Sequence, residues 1–224
     1  MGAMQQMLLA GTGRAAAVTL LGSTFTTTAG TKTVTATPAV NDLIIVFAAT
    51  TGDSPLSITD NQSGTYSLGP LGVAKNASAD VLSVYVRDAL VSSSVSTIYT
   101  MTTNAVDTGG GLVVLKVTGM TVAGLSAIKQ SAGQNNQAGT GTPTTTLASA
   151  ALAGNALLGA IFNAASPATM TPRSGWTEQV DLGYITPTAG LEVMTINNGE
   201  TATAIAWGST SASAFCDLVI VLAV

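Results

Sequence analysis

The sequence predicts an all-β fold, an antiparallel β-sandwich of the jelly-roll type built from two internally duplicated halves. Three observations support this prediction. Apolar and polar residues alternate with a period of two, turn-forming residues separate the segments at intervals of about ten residues, and similar segments recur in the same order in both halves. Parallel strands need long crossover connections, for which this spacing leaves no room, so the strands should run antiparallel.

The first half of the chain contains five strand-like segments. β-Branched and aromatic residues, which favour strands, are frequent in them. They cover residues 41–47, 63–66, 81–86, 97–101 and 112–117. Glycine, proline, asparagine and aspartate, which favour tight turns, lie between them at 52–55, 60–64 and 107–111.

The second half repeats this succession. Its segments cover residues 155–162, 174–176, 191–196, 203–207 and 218–222. The serine–glycine pair at 63–64 recurs at 174–175, and each closing segment is strongly apolar. We therefore expect each half to form a sheet with one apolar face, and the two faces to pack on each other.

The predicted domain organisation follows from the repeat. Residues 29–224 should form a single sandwich domain, with repeat halves at about 31–119 and 142–224. The polar, glycine-rich stretch at 130–141 is typical of a linker between the halves. Residues 1–28 are either an N-terminal arm or the first strand. Two separate small domains are disfavoured, because each would have a thin core.

The composition excludes several classes of function. Charged residues make up 8% of the chain, the net charge is -4, and the few basic residues form no cluster. Nucleic-acid binding depends on lysine and arginine clusters, so no nucleic-acid partner is expected. The apolar runs have the length of strands and are too short for a membrane-spanning helix, so no membrane partner is expected.

Catalytic chemistry has few residues to draw on. The chain has no histidine, which excludes a serine–histidine–aspartate triad. Four acidic residues could in principle supply the carboxylate pair of a glycosidase: Glu178, Asp181, Glu192 and Glu200. Solvated charges on strands and loops are the simpler interpretation, so the sequence predicts no catalytic residue, no cofactor and no enzyme activity.

Metal binding is also not expected. Asp53, Asp60 and Asn61 could supply oxygen ligands to calcium, but aspartate and asparagine commonly cap turns by accepting hydrogen bonds from their own backbone. Cys216 is the only cysteine, so the chain has no intramolecular disulfide and no cysteine-based metal site. The triple glycine at 109–111 precedes a strand and not a helix, which argues against a phosphate-binding loop.

Four motifs together carry a resemblance. They are Asn-Asp-Leu-Ile-Ile-Val-Phe at 41–47, Thr-Asp-Asn-Gln-Ser-Gly-Thr-Tyr at 59–66, Val-Tyr-Val-Arg-Asp-Ala at 84–89 and Ser-Gly-Trp-Thr at 174–177. With the closing apolar strand, this pattern resembles structural β-sandwich proteins of tailed bacteriophages, of the head decoration (cement) or tail accessory type. The resemblance covers roughly residues 30–224 and brings no catalytic residues with it.

The resemblance implies a non-enzymatic virion structural protein, in first place a capsid decoration protein that stabilises contacts between capsid subunits. Its location would be the virion surface, with the head favoured over the tail. Its partners would be the major capsid protein or another virion protein, and it would form a homo-oligomer, with a trimer favoured. Methionine adapts to irregular surfaces, so the candidate docking residues are Met4, Met7, Leu8 and Leu9.

An alternative function belongs to the binding class. The chain could be a carbohydrate-binding adhesin or a tail or fibre accessory module that contacts the host surface. Aromatic side chains provide stacking platforms for sugars, and the candidates here are Tyr66, Trp176 and Tyr184. An enzyme acting on glycans is a more distant third interpretation.

Overall fold

The computed structural model describes residues 16–52, 57–75, 80–103, 108–136, 141–164, 170–185, 188–211 and 213–223. Within these ranges no helix is long and apolar enough to cross a membrane. The described chain consists of strands, with one short 3-10 helix at Gly124–Ala127. The strands are β1 (Ala17–Thr26), β2 (Lys32–Ala36), β3 (Leu43–Thr51), β4 (Ser57–Asp60), β5 (Tyr66–Lys75), β6 (Val81–Arg87), β7 (Thr97–Thr102), β8 (Gly109–Thr118), β9 (Ile128–Asn136), β10 (Thr144–Thr146), β11 (Leu157–Ala164), β12 (Thr177–Ile185), β13 (Thr188–Ile196), β14 (Ala204–Ala206) and β15 (Phe215–Leu222).

Two large sheets form the centre of the molecule. The first has the strand order β1-β8-β3-β6-β5, and the second has the order β12-β13-β11-β15-β9. Every pairing between these strands is antiparallel. The predicted all-β antiparallel sandwich is therefore confirmed.

The two large sheets bury their inner faces on each other. Successive side chains of a strand point to opposite faces, so every second residue of the central strands β3 and β11 enters this shared core. Its buried members from these two strands include Leu43, Ile45, Phe47, Leu158, Ala160 and Phe162. Each large aliphatic or aromatic side chain buried here contributes about 1.5–3 kcal/mol to folding.

Two small sheets cover the outer faces of the large ones. The sheet β2-β7-β4 packs on the first large sheet, where Tyr99 and Met101 of β7 contact a buried cluster with Ile44 and Val46 of β3. The pair β10-β14 covers the second large sheet, beside the buried Trp207. The molecule thus has four layers, where the sequence predicted two. Because β3 is buried on both faces, its first seven residues are all apolar and do not alternate with polar ones.

Each half of the chain has the strand order of a jelly roll. In the first half, the large sheet contains β1, β8, β3, β6 and β5 in that order. The small sheet contains β2, β7 and β4. In the second half, β9, β15, β11 and β13 have the same order, and β10 pairs with β14. The two halves therefore correspond strand for strand in the large sheets. That they are copies of one unit stays a prediction.

The turns before the two central strands also correspond. Asp42 Oδ2 accepts a hydrogen bond from the backbone N–H of Ala39 at 2.8 Å, just before β3. Asn155 Oδ1 accepts one from the backbone N–H of Leu152 at 3.1 Å, just before β11. Aspartate and asparagine stabilise such turns because their short side chains reach backbone donors nearby.

The predicted linker at 130–141 is wrong for most of its length. Residues 128–136 form β9, an edge strand that pairs with β15 along the second large sheet. An edge strand tolerates polar residues and glycine, because one of its sides has no neighbouring strand and β15 satisfies the backbone on the other. Composition alone therefore did not distinguish this strand from a linker. Residues 137–140 lie outside the described part.

The N-terminal region contains a strand of the sandwich. β1 pairs with β8. Two backbone N–H groups of β1 also donate hydrogen bonds to side chains of the other large sheet, one within β12 and one just after β13. Val18 N–H donates to Asn197 Oδ1 at 2.9 Å, and Leu20 N–H donates to Gln179 Oε1 at 3.1 Å. Residues 1–28 were interpreted as either an N-terminal arm or the first strand. Residues 17–26 form the first strand. The repeat boundary at 31 leaves out β1.

One end of the molecule is relevant to function, and we call it the loop end. It is the end at which the central strands β3 and β11 begin and β8 and β15 finish. The bond between Val18 and Asn197 and the one from Ala223 N–H to the Ala127 carbonyl show that both halves share this end. Its loops are residues 37–42, 61–65, 88–96, 119–127, 147–156 and 197–203.

Candidate functional site

The first candidate site is organised around Asp60, the last residue of β4. Asp60 Oδ1 accepts hydrogen bonds from the backbone N–H groups of Gln62 at 2.9 Å and Gly64 at 2.7 Å. The turn also contains Ser63 with a φ of 58°, a conformation that only a few residue types adopt readily. Gly64 is required here, because a Cβ atom would overlap the Asp60 carboxylate. The sequence Asp-Asn-Gln-Ser-Gly therefore encodes a tight, self-capped turn.

The second oxygen of the Asp60 carboxylate connects two neighbouring side chains. Oδ2 accepts a hydrogen bond from the Tyr66 hydroxyl at 2.8 Å and lies 3.5 Å from Arg87 Nε. Burial alone would raise the pKa of Asp60, but the bonds from Gly64, Tyr66 and Gln62 and the positive charge of Arg87 hold it below its ordinary value. Burial and the Asp60 carboxylate raise the pKa of Tyr66. Asp60 is therefore ionised at neutral pH.

Arg87 fixes the adjoining loop. Its Nη1 donates hydrogen bonds to the backbone carbonyls of Ala89 at 2.8 Å and Leu90 at 3.0 Å. The Asp88 N–H donates to the Thr65 carbonyl at 2.9 Å, which ties this loop to the turn after β4. The two segments therefore hold each other in place.

A cavity of about 200 Å³ opens between these two segments at the loop end. Polar side chains form most of its lining, and Pro38 and Val91 provide an apolar part. The polar lining residues are Asp60, Gln62, Arg87, Ser92, Ser93, Thr97 and Tyr99. The cavity therefore combines many hydrogen-bonding groups with a small apolar wall, so its lining is more polar than the predominantly apolar lining of most small-molecule sites and suits a polar ligand.

Tyr99 is the unusual member of this lining. Its side chain is 1% exposed, and its hydroxyl has no hydrogen-bond partner among the described residues. Burial raises its pKa to about 12, and the Asp60 charge acts in the same direction. The nearby Thr97 hydroxyl acts to lower the pKa of Tyr99. However, this hydroxyl donates its hydrogen bond to the Val95 carbonyl at 3.1 Å, and it makes no well-formed hydrogen bond with the Tyr99 hydroxyl.

The second half has a related cluster at the same end. Glu200 Oε2 accepts hydrogen bonds from Arg173 Nε at 2.8 Å and from the Trp176 indole N–H at 3.0 Å, and its Oε1 accepts one from the Ala202 N–H at 2.8 Å. Burial opposes these bonds, which together hold the pKa of Glu200 below its ordinary value. Both halves thus connect a carboxylate, an arginine and an aromatic donor beside a serine–glycine turn.

Two further carboxylates are buried on the outer face of the second large sheet. Glu192 is 2% exposed, pairs with Asp181 of the neighbouring strand, and accepts a hydrogen bond from the Met170 N–H at 2.6 Å. Burial, and after it the Asp181 charge, raises its pKa to about 8, and its Oε1 has no partner among the described residues. Burial raises the pKa of Asp217 to about 6, although Thr145 donates to its Oδ2 at 2.9 Å.

The four acidic residues considered for a glycosidase pair do not all lie together. Glu200 is bound to Arg173 at the loop end. Glu178, Asp181 and Glu192 lie close enough on β12 and β13 for their charges to interact, with Glu178 exposed and Glu192 buried beneath the backbone of Met170. The interpretation as solvated charges was wrong for Glu192, because the segment at Met170 covers it, which the sequence did not predict. In the described part of the chain, no group of three or more acidic or cysteine residues is arranged to hold a metal ion.

The residues considered for calcium serve the turn after β4. Asp60 is occupied as described above, and Asn61 Oδ1 accepts a hydrogen bond from the Ile98 N–H at 2.9 Å, which links this turn to β7. Asp53 lies outside the described residues.

The three aromatic residues of the predicted sugar platform do not share a surface. Tyr66 donates to Asp60, and Trp176 is buried with its indole on Glu200. Tyr184 stacks on Phe25, with ring centroids 3.2 Å apart and ring planes 12° from parallel. Trp176 precedes β12 and Tyr184 lies near its other end, so about 25 Å of extended strand separates them.

Sequence reasoning did not identify the cavity. Arg87 follows the apolar segment at 81–86 directly, and an arginine at that place is the one signal that could have indicated a buried ion pair. Ser92, Ser93 and Tyr99 come from a loop and from a strand of the small covering sheet, and nothing in their spacing predicts that they meet. The docking candidates Met4, Met7, Leu8 and Leu9 lie outside the described residues.

Comparison with protein-family models, with curated proteins and with solved structures gives no match to this chain. Its function is therefore argued from the arrangement of its own residues.

Proposed function

We propose that this chain is a non-enzymatic structural protein of a bacteriophage virion, a decoration protein on the capsid surface that stabilises contacts between capsid subunits. The observation that supports this proposal is the position of the exposed large apolar side chains. Five of those found in the described residues lie in the loops of the loop end, namely Val40, Val95, Val122, Leu125 and Leu152. The other two, Ile98 and Leu68, lie within two residues of the loop-end start of β7 and β5.

Apolar side chains at one end of a molecule favour attachment through that end. Leu152 is 71% exposed, and it occupies the turn that precedes the central strand of the second half. Burying such side chains against a partner is favourable because they leave water. The chain carries few charges, so an interface here would desolvate few of them, which is a further advantage.

The N-terminal segment leaves the sandwich at the same end. The described chain begins at Ala16, next to Val18, whose N–H is bonded to Asn197 at the loop end. The fifteen preceding residues, with Met4, Met7, Leu8 and Leu9, are therefore attached where the exposed apolar side chains lie. The partner in this proposal is the major capsid protein or another virion protein.

The architecture is compatible with this role. Jelly-roll sheets are common in viral capsid proteins and in lectins, and rigid strands present broad, fixed surfaces. Architecture alone does not assign a function, so the proposal rests on the loop end and is tested there.

We expect two changes to weaken binding to capsids while the fold is retained. One is deletion of residues 1–15, which removes the candidate docking residues Met4, Met7, Leu8 and Leu9. The other is the double substitution Leu125→Ser, Leu152→Ser, which removes exposed apolar surface at the loop end, and neither change touches β1. Binding is measured by co-sedimentation with purified particles of the phage that encodes the chain, and labelled protein is located on the particles by electron microscopy. A loss of tenfold or more corresponds to about 1.4 kcal/mol or more of lost binding free energy.

Leu68→Ser is the comparison variant, because Leu68 is exposed on strand β5, two residues from the loop-end start of that strand, and not in the loops that contain Leu125 and Leu152. It should bind as the unchanged protein does. Label found on the tail or nowhere on the particle, or undiminished binding of both altered proteins, would contradict the proposal.

The isolated protein should form a homo-oligomer, and we favour a trimer. A capsid surface offers threefold positions, and the open sheet edges of this chain have few charged side chains to keep them apart. Sedimentation velocity over a range of concentrations measures this directly. A protein that stays monomeric at every concentration would refute the expected self-association.

A further inference from the structure

The cavity at the loop end contains a feature that its own residues leave unexplained. The Tyr99 hydroxyl is buried and unpartnered, although a buried polar group without a hydrogen bond costs folding free energy. Such groups are rare in folded proteins and often indicate a missing partner. Tyr99 lines the cavity, so a ligand seated in the cavity is placed to supply that partner.

The charge of the lining argues against an anionic ligand. Arg87 is the one positively charged lining residue, and the Asp60 carboxylate lies 3.5 Å from its Nε. Their charges cancel, so a phosphate or carboxylate would meet a carboxylate beside the only cation. A neutral ligand avoids this repulsion.

The remaining lining groups favour a ligand rich in hydroxyl groups. Gln62, Ser92 and Ser93 are exposed at the opening and can both donate and accept hydrogen bonds. Pro38 and Val91 provide an apolar wall on the same cavity. A sugar ring has the matching character, because its edge carries hydroxyl groups and its faces carry C–H groups.

The size of the cavity limits the ligand to one small unit. Its volume of about 200 Å³ lies below the roughly 300–1,000 Å³ of sites that hold drug-sized ligands. The walls are held in place in advance, because Arg87 is bonded to the Ala89 and Leu90 carbonyls and Asp60 to its own turn. A preorganised site loses less entropy on binding.

We propose that this cavity binds a single neutral sugar unit, either free or at the end of a glycan, and that the Tyr99 hydroxyl forms a hydrogen bond with it. This site differs from the platform of Tyr66, Trp176 and Tyr184 expected from the sequence. The inference does not rest on the capsid proposal, and its test uses the isolated full chain.

The test is titration of the isotope-labelled full chain with methyl glycosides, followed by two-dimensional NMR. The probes are the methyl glycosides of glucose, galactose, mannose, rhamnose and N-acetylglucosamine, and inorganic phosphate is the anionic comparison. We expect at least one glycoside to give saturable shifts at Gln62, Ser92 and Ser93, and phosphate to give none there.

Tyr99→Phe removes only the unpartnered hydroxyl, so the protein should fold with equal or greater stability. Its affinity for the glycoside should fall by a factor of about five or more. Tyr85→Phe is the matched control, because Tyr85 belongs to the same buried cluster but does not line the cavity. It should leave the affinity unchanged.

The inference would be overturned by an absence of saturable shifts with every glycoside or by phosphate binding at Gln62, Ser92 and Ser93. It would also be overturned by a Tyr99→Phe protein that folds and binds sugar as tightly as the unchanged chain. Sugar-induced shifts centred on Trp176 or Tyr184 would likewise refute sugar binding in the cavity, because they would place the sugar at another site.

Discussion

Glu192→Gln should abolish most of the fall in the free energy of unfolding that the unchanged protein shows as the pH rises from about 5 to 8 and above. Folding raises the pKa of this carboxyl from 4.5 to about 8, chiefly by burial. The folded state therefore holds a proton that the unfolded state releases, so the free energy of unfolding falls with pH between these two values. The contribution is fully present below pH 4.5 and is lost once the pH passes the folded pKa.

The expected size of the effect is a few kcal/mol at pH 8–9, since one pKa unit corresponds to about 1.4 kcal/mol. Glutamine keeps an oxygen that accepts the Met170 N–H bond, and its amide replaces the carboxylate oxygen that has no partner. The amide can also donate towards Asp181, the cross-strand neighbour. The variant should therefore be the more stable protein in alkaline solution.

Urea unfolding at several pH values between 5 and 9 measures this difference. Glu178→Gln is the control, because Glu178 is exposed on the adjacent strand and its charge is the last of the causes that raise the pKa of Glu192, so most of the pH dependence should remain. Asp217, whose pKa is raised to about 6, should leave a smaller slope at lower pH in both proteins. Parallel pH profiles for the unchanged protein and Glu192→Gln would show that Glu192 is not buried as the structure has it.

Gly110→Ala should destabilise the protein by about 1–3 kcal/mol or more, as overpacking of a close contact does. Gly110 lies in β8 between β3 and β1, opposite Thr50 on one side and Thr26 on the other. A Cβ atom here would overlap the backbone carbonyl oxygen of Ala49 and approach Thr50 Cγ2 to 3.2 Å. Backbone in a central strand has little freedom to move away.

Gly154→Ala is the matched control for this substitution. Gly154 is in an exposed turn, it has no positive φ, and a Cβ atom there would have no neighbour within 4 Å. Its stability should be unchanged or slightly higher, because alanine reduces the freedom of the unfolded chain. The midpoints of urea unfolding report both effects. Equal midpoints for the two variants would contradict the close packing at Gly110.

This packing also explains the triple glycine at 109–111. A Cβ atom on Gly111 would lie 2.7 Å from Leu191 Cδ2 and 3.1 Å from Phe25 Cδ2, so Gly111 allows the two large sheets to approach closely. Gly110 and Gly111 are thus needed where neighbouring backbone and side chains approach closely.

Local sequence was sufficient for the class of fold and for most strands of the large sheets. The segments at 81–86 and 218–222 correspond to β6 and β15, because long runs of β-branched and aliphatic residues form buried strands in almost any context. The turn after β4 was also predictable. Asp60 caps the backbone of its own neighbours, and such an interaction depends only on residues within four positions.

The edge strand β9 and the small covering sheets were decided by the tertiary structure. β9 is polar and glycine-rich, and it is a strand because β15 supplies its hydrogen-bonding partner. β10 is three residues long, too short for any periodicity, and it was not predicted. It pairs with β14, which lies in the predicted segment at 203–207, over the apolar outer face of the second large sheet. Glu192 is buried beneath the segment at Met170, and burial is the main cause of the rise of its pKa.

The amino-acid sequence by itself determined that this chain is an antiparallel β-sandwich with few charges, no histidine and a repeated order of strands, because these properties depend on composition and on neighbours along the chain. Only the tertiary structure decided which residues meet at the loop end. Asp60, Arg87 and Tyr99 come from three different strands, and the cavity they line exists because β4 and β7 pair in the covering sheet while β6 belongs to the large sheet beneath. Contacts between residues distant in sequence depend on the packing of whole sheets, which no local pattern encodes.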